Sequence, residues 1–195
     1  RKDSLNTEAY FVYSLLFSTT RYSLFNIDTA NYYGNKTAAH FKLSDPRTRE
    51  KLKKFPIDSL ILARHKFRID SMAFEKARDL NTEASYIHFL NNYPQAIQVP
   101  SAVELRDESA FLTALKYNTQ YSFQEFLIKY PKSHRAGEAN QRFERHQYEN
   151  ETKNKTLIEF RDFVRNHPLS THASVAMDRI FELSTLDGRE TSFEN

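Results

Sequence analysis

Thr119-Gln120-Tyr121-Ser122-Phe123-Gln124-Glu125-Phe126-Leu127-Ile128-Lys129-Tyr130-Pro131 decides how the whole chain is to be read. A hydroxyl residue opens it and a proline closes it; Phe123, Phe126, Leu127 and Tyr130 lie between them at i, i+3, i+4 and i+7. The same pattern runs from Thr82 to Pro94, with Tyr86, Phe89, Leu90 and Tyr93. It runs again from Thr156 to Pro168, with Phe160, Phe163, Val164 and His167. The three threonines stand 37 residues apart, and so do the three prolines. Such spacing puts the bulky side chains on one face of a short helix. An ungapped period of this length marks one supersecondary unit stacked on copies of itself. Threonine starts each helix and proline stops it.

Each motif is followed by a partner helix. The first runs from near Pro100 to Tyr117 with Val103, Phe111, Leu112 and Leu115; the second from about Ser133 to Asn150 with Ala136, Ala139 and Phe143. The third runs from about Thr171 to Leu186 with Ala173, Ala176, Ile180 and Leu183. Asn81 and Asn118 are the expected N-caps of the first two motif helices. Neither member of a pair can bury its face alone. Four bulky side chains at about 1.5–3 kcal/mol each stabilise the fold only when neighbours stack.

Upstream, Asn6-Thr7-Glu8 carries capping chemistry for a helix to about Ser18 that is apolar on most sides and expected to be buried. A second helix is expected from Asp28, its cap, to Leu43, with a stripe of Ala30, Tyr33, Thr37, Ala38 and Phe41. Gly34 inside it costs about 1 kcal/mol relative to alanine. Asp45-Pro46 opens a short helix ending at Phe55-Pro56. It reads as a degenerate copy, with Leu52, Phe55 and Pro56 in the places of Leu90, Tyr93 and Pro94 at an offset of 38. Asp58 then caps a long helix to Leu80 whose expected core residues are Leu60, Ala63, Phe67, Phe74 and Ala77. At the other end Asp187-Gly188 is expected to close a helix, and Thr191–Asn195 to begin a fourth copy, as in a piece of a longer protein.

Composition narrows the function classes. The 195 residues contain no Cys, which removes thiolate metal sites, disulfides and a Cys nucleophile. Three scattered glycines exclude a Gly-rich phosphate cradle. The seven histidines form no HExxH pattern. His167 fills the slot of Tyr93 and Tyr130 and reads as a packing or turn residue. His146 borders an apolar stripe and reads likewise. Asp107 and Glu108 are adjacent and point to different sides of a helix, so they make no acid–base pair. No catalytic, cofactor or metal residues are assigned, and no apolar run approaches the roughly 18–20 residues of a membrane span. The net charge of +3 is too balanced to point to nucleic acid. Charge is nevertheless uneven: residues 47–68 carry a net of +6 against −3 for the remainder. Within that stretch Arg47, Arg49, Lys53, Lys54, Arg64, Lys66 and Arg68 are the candidate partner- or anion-binding residues, brought to one surface by a hairpin at Pro56. The aromatics of residues 1–43 also suggest a peptide groove, with burial under the next repeat the favoured reading.

The units resemble tetratricopeptide-like repeats, in the bacterial style that ends Tyr-Pro-x-Ser before an Ala-rich helix. Tyr130-Pro131-Lys132-Ser133 with Ala136 and Ala139 carries the likeness best, and His167-Pro168-Leu169-Ser170 more weakly. The likeness covers roughly residues 57–186. The period of 37 in place of 34, and Thr at 82, 119 and 156 where alanine is usual, depart from it. The expected fold is an all-α, right-handed α-solenoid of antiparallel helix pairs with about nine helices. Residues 1–56 form an aromatic-rich N-terminal part, and residues 57–195 form three repeats and the start of a fourth. The implied function is a non-enzymatic protein–protein interaction scaffold or adaptor in a larger bacterial protein, with the periplasm or outer membrane as the implied location. Two alternatives are a polyanion-binding module using residues 47–68 and a regulatory or substrate-docking arm of an enzyme whose catalytic domain lies outside this chain.

Overall fold

The structure is a computed structural model that describes residues 6–190, with side chains described to residue 185. The chain is all-α, with ten helices among the described residues against about nine expected: α1 Thr7–Phe17, α2 Ile27–Leu43, α3 Pro46–Leu52, α4 Ser59–Leu80, α5 Glu83–Asn92, α6 Val99–Tyr117, α7 Gln120–Lys129, α8 Ala136–Glu151, α9 Leu157–Asn166 and α10 Ala173–Glu190. α10 continues through Asp187-Gly188, where an end was expected. The expected fourth copy at Thr191–Asn195 lies outside the described residues.

The 37-residue period is present in the backbone itself. Among the described residues, Asn81, Asn118 and Lys155 are the non-glycine residues with positive φ, at 44°, 47° and 56°. Asn81 and Asn118 therefore do not cap the motif helices. They turn the chain in the left-handed conformation that Asn tolerates better than most residues. Thr82, Thr119 and Thr156 cap instead, each accepting from the backbone N–H three residues on, with Ser85, Ser122 and Glu159 closing reciprocal capping boxes. Each motif ends alike, with Tyr93, Tyr130 and His167 at φ near −130° and their N–H groups donating to Phe89, Phe126 and Phe163 at 2.8 Å.

Packing repeats too. Phe74, Phe111 and Tyr148 stand against Phe89, Phe126 and Phe163 with ring centroids 5.4, 5.5 and 5.2 Å apart. Those rings in turn meet Tyr93, Tyr130 and His167 at 5.3, 5.8 and 5.1 Å. Ala102, Ala139 and Ala176 are fully buried, and a small side chain there lets helices approach closely. Leu112 is exposed, contrary to its expected core role; Ala102, Asp107, Ala110, Phe111 and Ala114 are the buried residues of α6.

Upstream the same register holds at 37, not 38. Asp45 caps α3 as expected, in the frame of Thr82, and Leu52 is buried in the place of Phe89. Phe55 is exposed and does not stand in for Tyr93. Asp58 caps α4, but the first half of that helix turns differently from expectation: Leu60, Ala63 and Phe67 face outward, while His65, Ile69, Asp70, Ala73, Phe74 and Ala77 are buried. Polar His65 and Asp70 hid that face from a hydrophobic pattern. α1 is not buried all round either; Tyr10, Phe11 and Ser14 are, whereas Val12 is 60% exposed and Tyr13 and Leu15 are also exposed.

Asn26, not Asp28, caps α2, accepting from the Thr29 N–H at 3.0 Å. Asp28 is thereby released for long-range bonding. It accepts from the buried Tyr93 hydroxyl at 2.7 Å, and Asn31 Nδ2 donates to the Asn92 carbonyl at 3.0 Å. These bonds join α2 to the end of α5, and the chain gathers into two compact units, Arg1–Arg106 and Asp107–Asn195, with the division inside α6. Each unit has its own core, centred on Phe74, Tyr86 and Phe89 in the first and on Phe111, Phe123 and Phe126 in the second. A further cluster of Phe160, Phe163 and Ala176 also lies in the second.

Candidate functional site

The seven basic candidates of residues 47–68 meet different fates. Arg49 donates to the Lys42 carbonyl at 2.8 Å and lies over the Phe41 ring. Lys53 pairs with Glu50 at 2.6 Å, a mutually exposed pair of small energetic consequence. Lys66 pairs with buried Asp70 and sits 5.5 Å from the Tyr93 ring centroid, so its charge is committed to the core of the first unit. Arg68 donates to Ser18 Oγ at 2.8 Å, tying α4 to the end of α1. Arg47, Lys54 and Arg64 are exposed and make no hydrogen bond or ion pair among the described residues. The stretch therefore splits into four partly committed side chains and three free ones.

A second feature of the first unit was not singled out from sequence. A half-open cavity of about 260 Å³ is walled by Ile27, Ala73, Ala77, Leu80 and Phe89, with Asp28, Lys76, Ser85 and His88 as its polar groups. Asn92 Nδ2 lies 3.2 Å from His88 Nδ1, which places the ring proton on Nε2, 3.1 Å from Asp28 Oδ2. Both carboxylate oxygens are thus occupied. Burial, reinforced by the bond to Asp28, pushes the Tyr93 hydroxyl well above the usual tyrosine range. Such a hydroxyl stays protonated and holds position; it is no acid or base. The cavity is an apolar recess with a fixed polar rim.

His65 and Ser14 stand at a hydrogen-bonding distance of 2.8 Å in the core. Ser14 Oγ donates to the Ala30 carbonyl at 2.7 Å, so His65 supplies the proton to Ser14. That polarity is the reverse of a base activating a nucleophile. Burial, with Arg68 nearby, lowers the His65 pKa to about 4. The pair is a packing device between α1, α2 and α4, and Gly34 makes room for it: a Cβ there would lie 3.1 Å from Ser14 Oγ.

No family model matches the chain, nor does any curated protein or solved structure. The residues must therefore speak for function themselves. Among the described residues no His, Asp or Glu side chains gather as a metal-binding group, and no helix is long and apolar enough to cross a membrane. In the second unit His167 packs at a tilt against Phe163 and lies 2.8 Å from a Glu151 carboxylate oxygen, and His146 stacks on Phe123. Both take the packing positions read from sequence.

Tyr148, a ring central to the second unit, went unnoticed in the charged stretch of α8. Its signal was present, because it stands 37 residues after Phe111 and 74 after Phe74.

Proposed function

We propose that this chain is a tetratricopeptide-like, right-handed α-solenoid of antiparallel helix pairs that serves as a non-enzymatic scaffold for protein–protein interaction within a larger bacterial, envelope-associated protein. The observation that carries the reading is the threefold recurrence of one local geometry: left-handed link, capping box, aromatic quartet and partner helix with a buried alanine. A chain that spends its sequence on repeating a scaffold presents side chains along an extended wall. On the first unit the cavity beside Asp28 and His88 supplies an apolar recess with a polar rim, suited to one hydrophobic side chain of a partner segment.

The test is binding by the intact chain to a partner segment isolated from the native source, measured with and without Leu80→Glu, which places a charge at the mouth of the recess. Loss of at least tenfold in affinity with unchanged helicity supports the recess as a contact. Equal affinity of both proteins removes the recess from the interface, and failure to retain any protein partner overturns the scaffold reading.

A second reading, polyanion binding through residues 47–68, rests on Arg47, Lys54 and Arg64 having no intrachain partner among the described residues. It predicts affinity for an anionic polymer that falls steeply with salt, and that is lost when Lys53, Lys54, Arg64 and Arg68 become Glu. A salt-independent signal overturns it.

A further inference from the structure

The 37-residue register singles out a place where the third copy is not closed as the first two are. In the first copy the Tyr86 hydroxyl donates to Asn81 Oδ1 at 2.9 Å, tying the motif helix to its left-handed link. In the second, His146 lies over the Phe123 ring, with centroids 5.9 Å apart and Nε2 3.2 Å from Asn118 Oδ1. One period on, Phe160, Leu183 and Lys155 stand in the places of Phe123, His146 and Asn118. Neither Phe160 nor Leu183 can accept from the Lys155 ammonium, so that bond has no counterpart.

A half-open cavity of about 690 Å³ lies at this place in the second unit. Its apolar lining comes from Tyr148, Phe160, Val175 and Leu183, and its charged groups are Glu149, Lys153, Lys155, Arg179 and Glu182. Both carboxylates already face a cation. Glu182 takes Arg179 at 2.6 Å, and Glu149 has His146 Nδ1 at 3.6 Å and Arg145 at 4.0 Å. The neighbouring carboxylates are engaged elsewhere, Glu151 with His167 and Glu159 with Asn154 and Thr156. Lys153 and Lys155 are exposed and make no hydrogen bond or ion pair among the described residues. A smaller cavity of about 320 Å³, lined in part by Arg142, Arg145 and His172, differs in this respect, since Arg142 there has Glu138 and Arg145 has Glu149.

We propose that the larger cavity binds a small amphipathic carboxylate, its apolar body against Tyr148, Phe160, Val175 and Leu183 and its head group at Lys153 and Lys155. Sites for small organic ligands commonly measure roughly 300–1,000 Å³ and combine a mainly apolar lining with a few polar groups that fix orientation. A lysine ammonium on its flexible stem can turn to a carboxylate, and the charge-assisted bond is stronger than a neutral one. A bare inorganic anion would leave the apolar lining unused, and an uncharged hydrocarbon would leave both lysines unmatched. The body of the ligand is an acyl chain or an aromatic group. This cavity belongs to the second unit and the recess beside Asp28 to the first, so the two sites are tested separately.

The test uses the whole chain and follows the Val175 and Leu183 methyl signals by NMR at constant pH and ionic strength. Octanoate, phenylbutyrate, octanol and acetate are added separately. The expected result is a saturable shift with a Kd on the order of 1 mM for one or both of the larger acids, binding of octanol weaker by about fivefold or more, and no saturation by acetate. Tighter binding of octanoate identifies an acyl chain as the body, and tighter binding of phenylbutyrate an aromatic one. The double variant Lys153→Gln/Lys155→Asn changes two exposed side chains and gives the link the residue type of the preceding copies. It should bind the acids no better than octanol, with an unchanged circular dichroism spectrum. A second variant, Val175→Asp, sets a carboxylate on the exposed edge of the lining and should weaken acid binding by about tenfold at the Leu183 methyls. Absence of a saturable shift at Val175 and Leu183, octanol binding as tight as that of the acids, or undiminished acid binding in either variant would overturn the proposal.

Discussion

His65 occupies, in the 37-residue register, the place held downstream by Ala102, Ala139 and Ala176. An imidazole there has to be hydrogen-bonded to be buried, and Ser14 and the missing side chain of Gly34 meet that need. Its pKa of about 4 in the folded chain lies below the unfolded value of about 6.5. The unfolded chain therefore binds more protons in that window, and stability is full above about pH 6.5 and lost as pH falls towards 4, by about 3 kcal/mol in total. Urea unfolding at pH 7.5 and pH 5 should show about 2 kcal/mol of this loss in the parent chain and a much smaller one in His65→Gln. Lys155 is a second residue set against its backbone, since its φ of 56° suits Asn or Gly better. Lys155→Gly should stabilise by roughly 0.5–1 kcal/mol, read as a higher urea midpoint with an unchanged slope.

Helix starts were legible because capping chemistry is local. Asn6, Asp45, Asp58 and the motif threonines needed only the next three residues to act. The one-residue slips at Asn81 and Asn118 have the same origin: Asn suits both an N-cap and a left-handed link, and only the turn geometry decides. Buried faces were less legible. In α4 the core side carries His65 and Asp70, whereas Leu60 and Phe67 face outward, so hydrophobicity pointed to the wrong side of the first half. In the motif pairs small residues matter as much as large ones. Ala139 is fully buried beneath the Phe111, Phe123 and Phe126 cluster. Ala139→Leu should cost about 1–3 kcal/mol by overpacking, detectable as a lower Tm even though leucine is nearly as good a helix former as alanine.

Two compact units, each with its own core, shape how the whole molecule responds to damage. The bonds from Asp28 and Asn31 to Tyr93 and Asn92 bind the N-terminal helices to α5 within the first unit. Phe163 belongs to the second unit, where it meets Tyr148 and His167. Phe163→Ala should cost about 3–5 kcal/mol. Hydrogen exchange should show the loss in α8–α10, with the amides of α1 and α2 keeping their protection. Equal loss in α1 and α2 would show that the chain unfolds as one body.

The sequence alone determined the helical class, the 37-residue period and most helix starts, because periodicity and capping depend on neighbours within a few residues along the chain. It also located the charge of residues 47–68, though not its distribution between free and committed side chains. Only the tertiary structure decided which side of α1 and α4 is buried, that Arg68 serves Ser18, and that Arg145 and His172 line one cavity. Each of those outcomes joins residues from different helices. Whether a charge stays available or a polar side chain can be buried depends on the partner brought to it, and that partner is chosen by packing.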